Sequence, residues 1–131
     1  MASILKVDTL TGVTTAGSIS VTGEGNSTTT NLQQGLAKAW VNGTATASLN
    51  TSLNCSSGTD HGAGDYSVTL TNAFSVVQYA MAGLARTNTA GYIVTRNPAR
   101  DETTTLAIEI DTDASTQSDS AFEIIAHGDL A

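Results

Sequence analysis

The chain reads as a mostly β protein: an extended N-terminal arm over 1–30, one short helical neck over 31–40 and a C-terminal antiparallel β-sandwich head over 41–131. Three observations predict this. From Trp40 onward, apolar and polar residues alternate in short runs bounded by Gly, Asn, Asp and Ser, the period-2 pattern of half-buried strands. Thr and Ser make up roughly a quarter of the 131 residues while charged residues are 13%, against about 25% in ordinary soluble domains. Polarity carried by hydroxyls suits strands with wet faces, because Thr tolerates the pleat. Finally, the first thirty residues hold too few apolar side chains for a core, so one small sandwich of about 100 residues must come from the rest.

In the arm, Ser3–Val7 and Ser18–Thr22 are strand-like, with Asp8–Gly12 a turn between them and Gly12, Gly17, Gly23 and Gly25 as punctuation. Ile19 and Val21 share one face. Two such strandlets cannot bury enough surface to stand alone. The arm is therefore expected to intertwine with copies of itself or to lie on another protein, offering its strand edges. Ile4, Leu5, Val7, Ile19 and Val21 are the residues expected to attach it to a particle; disorder of the free arm is the competing reading.

Asn31–Trp40 is the one segment with helical character. Leu32, Leu36 and Ala39 recur at i, i+4 and i+7, and Thr30 or Asn31 can cap the start. Gly35 costs roughly 1 kcal/mol against Ala, and so short a helix is marginal alone. Copies of itself are the simplest packing partners, with Leu32, Leu36 and Trp40 as the oligomerisation residues. Trp40 is placed to seal the junction with the first strand.

In the head, Val41–Leu49 reads as a weak strand and Leu53 with Cys55 as another. Gly58–Asp65 is a loop by composition. Asp65–Thr71 is the clearest strand, with Tyr66, Val68 and Leu70 inward and hydroxyls outward. Val76–Gly83 follows, Val77, Tyr79 and Met81 sharing a face. Ala90–Arg96 is ended by Asn97-Pro98, since Pro cannot continue a central ladder. Thr103–Asp111 turns Leu106, Ile108 and Ile110 inward, and Ala121–His127 does so with Phe122, Ile124 and Ala126.

The chemistry is sparse. A formal charge of −7, with Lys6, Lys38, Arg86, Arg96 and Arg100 scattered, argues against nucleic acid, which needs clustered cations. No apolar run near 20 residues predicts a membrane span, and no basic-plus-apolar leader is visible. Cys55, the single cysteine, reads as a small buried hydrophobe near a strand end. His61 and His127 accompany abundant Ser and Asp, but there is no Gly-x-Ser-x-Gly elbow, and no enzyme activity or cofactor is expected. Asp111–Asp119 has oxygen side chains at alternate positions yet lacks the Gly and Glu of a calcium loop; it reads as a solvated acidic hairpin loop. Asp60, His61 and Asp65 form an equally weak metal cluster. The four Asn-x-Ser/Thr matches arise from composition. Recognition is expected from the loops 58–65, 84–90, 97–103 and 111–120, with Asp113, Arg96 and Tyr92 as receptor-binding candidates. Tyr79, Tyr92 and Arg96 could together line a sugar-binding face.

Several segments carry a resemblance: Lys6-Val-Asp-Thr-Leu-Thr-Gly12, the hinge Val21–Gly35 with its Asn31-Leu-Gln-Gln-Gly35, Gly35-Leu-Ala-Lys-Ala-Trp-Val-Asn42, Gly62-Ala-Gly-Asp-Tyr66 and His127-Gly-Asp-Leu-Ala131. Together they resemble a family of short fibre-like virion proteins of marine tailed bacteriophages. The resemblance spans most of the chain and is most specific at the hinge. Thr44–Asn54 departs from it, and the chain lacks a residue or two that relatives carry after Asn42, so no receptor surface transfers there. The sandwich head is expected to be jelly-roll-like; the resemblance implies a β-rich homotrimer (three rather than two rests on it alone) with a place on the virion surface after synthesis in the host cytoplasm. It does not distinguish tail from capsid; the function expected is a tail fibre whose head meets a host-surface glycan or protein. The alternative is a capsid decoration or head-fibre protein, clamped to capsomers by its arm; the shortness of the chain favours it.

Overall fold

A computed structural model of the chain describes residues 4–13, 19–22, 29–86, 93–112 and 116–130. They belong to two units, one ending at Leu36 and one beginning at Ala37.

In the first unit, β1 (Ser20–Thr22) pairs antiparallel with β2 (Thr29–Asn31), Val21 opposite Thr30. One helical turn, α1 (Leu32–Gly35), follows, tied back by the Leu32 N–H to the Ile19 carbonyl at 2.8 Å. Residues 4–13 contain no strand, so the strandlet expected from Ser3 to Val7 is not formed over its described part. Ile4, Leu5, Val7, Leu10 and Val13 are exposed. Their neighbours are Asp, Thr, Gly and Lys, and no described element pairs with them.

The ten-residue neck helix is a correction: only its first turn exists. Gly35 weakens the helix where it must propagate. Beyond it, Ala39-Trp-Val41 has a better option as β3 (Ala39–Gly43), which buries Ala39, Val41 and Gly43 on alternate positions.

The second unit is a β-sandwich of two four-stranded antiparallel sheets. One has the order β4 (Leu49–Leu53), β3, β10 (Ala121–His127), β7 (Ala80–Arg86). The other has the order β5 (Cys55–Gly62), β6 (Asp65–Leu70), β9 (Thr105–Asp111), β8 (Ile93–Arg96). Between them lie Val41, Phe122, Ile124 and Ala126 from the first sheet and Tyr66, Val68, Leu70, Leu106, Ile108 and Ile110 from the second, all buried. These are the alternating sets read from β6, β9 and β10. Tyr66 meets Phe122 with ring centroids 5.3 Å apart, and Phe74 stacks on Tyr79 at 4.6 Å. Opposite Phe122 in the ladder is Gly43; a Cβ there would run into the phenyl ring.

Four strand assignments differ from expectation. The short strand expected through Leu53 and Cys55 is instead the end of β4 and the start of β5, in different sheets. The run Val41–Leu49 is cut by a turn in which Thr44 N–H meets the Ser48 carbonyl at 2.9 Å and Thr44 Oγ1 accepts from Ser48 N–H at 3.1 Å. Thr and Ser thus act through local side-chain bonds that favour turns. The loop expected at 58–65 is instead mostly strand, with Gly58 opposite Val68 and Thr59 opposite Ser67. Gly58 lies against the Ala47 carbonyl, where no Cβ fits, so this glycine serves close backbone approach rather than a loop. Only Ala63-Gly64 turns, Gly64 taking φ +68°. The strand expected from Val76 begins at Ala80 and runs to Arg86; Phe74 before it is tied by a bridge to Leu130.

Side chains pin two corners, one where the chain passes from the first sheet to the second and one within the second sheet. Asn54, at φ 58°, joins β4 to β5, and its side chain accepts from Asn72 N–H at 2.7 Å and donates to the Asn72 carbonyl at 3.0 Å. At the other end, Asn97-Pro98 closes edge strand β8: Arg100 Nε reaches Asp65 Oδ2 at 2.9 Å, and Asn97 Nδ2 donates to Asp65 Oδ1 at 3.2 Å.

Candidate functional site

The outward face of sheet β4-β3-β10-β7 follows directly from the inward one. If Ala39, Val41 and Gly43 point to the core, Trp40 and Asn42 must point away. The same parity turns Glu123 and Ile125 of β10 outward, with Ala82, Leu84 and Arg86 of β7. The register aligns them in two rows across the strands: Leu53, Trp40, Ile125, Ala82, and then Thr51, Asn42, Glu123, Leu84. Trp40 is 37% exposed, Ile125 41%, Leu53 46% and Leu84 68%. Single exposed hydrophobics are ordinary, but a contiguous set rimmed by polar groups marks a binding surface. Trp40, Asn42, Thr51, Leu84, Glu123 and Ile125 line a shallow groove of ≈ 550 Å³.

The second row is a wired set of polar groups. Asn42 Nδ2 donates to Glu123 Oε1 at 2.8 Å. Asn42 Oδ1 in turn accepts from Asn50 Nδ2 at 2.8 Å and Arg86 Nη1 at 3.3 Å. Arg86 Nε is 3.5 Å from Glu123 Oε1. A register irregularity between Asn42 and Gly43 inserts Asn50 into β4, a bulge of the kind that re-aims a side chain. The exposed ion pair adds little stability, about 0–1 kcal/mol. Its effect is geometric: it holds amide and carboxylate in fixed orientation beside the indole.

Other polar constellations serve the scaffold. His61 Nε2 and Ser67 Oγ are 2.8 Å apart, but the neighbouring Asp60 carboxylate accepts from Gly62 N–H at 3.0 Å, and the pair links β5 to β6. Tyr66 sits in a buried hub, its hydroxyl 3.0 Å from Asp119 Oδ1 and 3.1 Å from the Ala45 carbonyl while accepting from Ser120 N–H at 3.3 Å. Burial, reinforced by Asp119, pushes its phenol up to about 12. Asp119 also accepts from Gly64 N–H at 2.8 Å, so one carboxylate of the calcium-like segment is a scaffold group. That segment folds back through Thr112 N–H to the Thr116 carbonyl at 2.9 Å. Cys55 directs its thiol to the Leu53 carbonyl at 3.3 Å, and burial pushes it up to about 11. Among the described residues no three metal-ligating side chains cluster.

The expected site residues fare unevenly. Asp113 and Tyr92 lie outside the described residues, and for Arg96 only the backbone, at the end of β8, is described. Leu32 and Leu36 belong to the first unit and Trp40 to the second, so the three do not share a helical face; with the helix ending at Gly35, Trp40 is a strand residue. Val21 is exposed and Ile19 half-buried. Sequence reasoning missed Asn42, Arg86, Glu123, Leu84 and Ile125 as a set. One signal was present: Ile125 is a large apolar residue on the outward parity of a strand whose inward parity is already filled. No protein-family model, curated protein or solved structure matches the chain significantly.

Proposed function

We propose that the chain is a non-enzymatic structural protein of a phage virion, a fibre-like appendage whose sandwich head is presented outward for attachment to the host surface. The observation that carries this reading is the arm. Five large apolar side chains in ten residues (Ile4, Leu5, Val7, Leu10, Val13) are exposed, and apolar surface of that density calls for a protein partner. Other copies of the chain, in a homotrimer, and neighbouring virion proteins supply that partner, with Val21 of β1, Ile19 just before it, and Leu32 and Leu36 at the neck contributing. The hinge resemblance to fibre-like phage proteins adds the virion location and the trimer, and the head is read as jelly-roll-like.

The same exposed arm supports a second reading, a capsid decoration or head-fibre protein whose arm is clamped between capsomers. Immunogold labelling of intact virions with antibody against residues 41–131 separates the two. Gold at the tail supports the tail fibre; gold over the capsid replaces it with decoration. Particles without gold, from a lysate in which the protein is abundant, refute both.

A further inference from the structure

The outer groove of sheet β4-β3-β10-β7 has its own chemistry. We propose that it binds a neutral glycan, one pyranose ring lying on the Trp40 indole while Asn42, Glu123 and Arg86 fix its hydroxyls. The inference deepens the attachment reading above and rests on it for the source of the glycan, but not for the chemistry of the groove.

Three features select this ligand. Among the described residues the indole is the one aromatic ring on this face, and it lies in a row of aliphatic groups, Leu53, Ile125 and Ala82. A pyranose offers just such a partner, an apolar C–H face ringed by hydroxyls. Next, Trp40 and Asn42 are two positions apart on one strand, about 6.6 Å at the usual rise, roughly the span of a sugar ring. A ring over Trp40 therefore brings its hydroxyls over the Asn42–Glu123 row, where amide, carboxylate and guanidinium are already oriented by one another. Preorganised polar groups beside an apolar wall are how small-ligand sites gain specificity. Last, Glu123 is matched by Arg86, so the groove is locally neutral, on a chain of formal charge −7. That combination disfavours polyanions.

A second copy of the chain is the competing occupant. It would strip water from the half-exposed Arg86–Glu123 pair, and desolvating such a pair offsets much of the apolar gain. A sugar replaces that water with hydroxyls and leaves the pair hydrogen-bonded. One ring and a few hydrogen bonds support a Kd on the order of 1 mM; several heads on one particle would raise the avidity without new contacts.

The test uses the full chain titrated with neutral trisaccharides of glucose, galactose and mannose, each in α- and β-linked form. Trp40 is the only tryptophan, so its emission reports the site without a label, and calorimetry supplies an independent readout. At least one sugar is expected to quench and blue-shift the emission, saturating with a Kd on the order of 1 mM. Glu123→Gln and Asn42→Ala should each weaken binding about tenfold with unchanged melting temperature, since every 1.4 kcal/mol is tenfold. Trp40→Ala should abolish the heat signal, and Trp40→Phe, which keeps a ring, should retain part of it. Silence with all six sugars overturns the proposal. So does a blue shift produced by protein concentration alone and removed by Leu84→Asp, which assigns the face to a second copy. Gold on virions without a sugar response retires the glycan and leaves the appendage reading. Sugar binding by a protein absent from virions does the reverse.

Discussion

Replacing Tyr66 by Phe isolates the hub formed with Asp119, Ser120 and Ala45. The ring and its packing on Phe122 remain; the hydroxyl that bonds Asp119 and accepts from the buried Ser120 N–H is lost. Hydrogen bonds to charged groups contribute about 1.5–3 kcal/mol, so Tyr66→Phe should lower the urea-unfolding free energy at pH 7 by about 2 kcal/mol. The alkaline limb then tests the cause. Burial first, then Asp119, raises the phenol from the ordinary 10.0 to about 12. The unfolded chain thus ionises before the folded one. The stabilisation this represents is fully present below pH 10 and is lost as pH rises through 12, in total about 3 kcal/mol. Phe has no such loss. The advantage of the parent over the variant should therefore shrink steadily between pH 10 and 12 and approach zero or reverse. Cys55, also raised, is common to both proteins and cancels in the difference. A difference that stays constant across this window would refute the account of a neutral, desolvated phenol. A variant equal to the parent at pH 7 would refute the hub itself.

Gly43→Ala forces a methyl into the Phe122 ring. Overpacking of this kind should lower stability by about 1–3 kcal/mol, read as a fall in melting temperature, and Phe122→Leu in the same chain should restore part of it. Asn54→Ala removes the bonds to Asn72 and places an ordinary side chain at φ 58°; denaturant unfolding should report a loss of about 2–3 kcal/mol. Asn54→Gly, which relieves the backbone alone, should recover part of that loss. Cys55, whose thiol lies well above the ordinary 9.0, should react slowly with a disulfide reagent at pH 8, because the thiolate is the nucleophile. Its rate should rise along the urea unfolding curve; fast labelling of the native chain would contradict the burial.

Much of the head was legible because a strand of alternating residues has two faces and only one can be buried. β10 matches its expected bounds, and β6 and β9 keep their inward triads, since Tyr66-Val68-Leu70, Leu106-Ile108-Ile110 and Phe122-Ile124-Ala126 admit no other parity. Gly58 and the Thr44–Ser48 turn were not legible. A glycine in a Gly-rich stretch looks the same whether it loops or lets a strand pass close to a distant carbonyl, and Ala47 is eleven residues away. The neck failed for a related reason. Leu32, Leu36 and Ala39 do recur at helical spacing, but Ala39 and Val41 bury more completely between β4 and β10 than on a marginal helix.

The candidate groove divides the same way. Sequence parity put Glu123 and Ile125 opposite the inward set Phe122, Ile124 and Ala126, because the period of a strand is local, whereas Trp40 was read as a neck residue and faces outward with Asn42 only because Ala39–Gly43 is a strand. That Trp40 lies beside Ile125 and Asn42 beside Glu123 was decided only by tertiary structure, because those pairs are more than eighty residues apart and their register depends on which strands neighbour one another in the sheet.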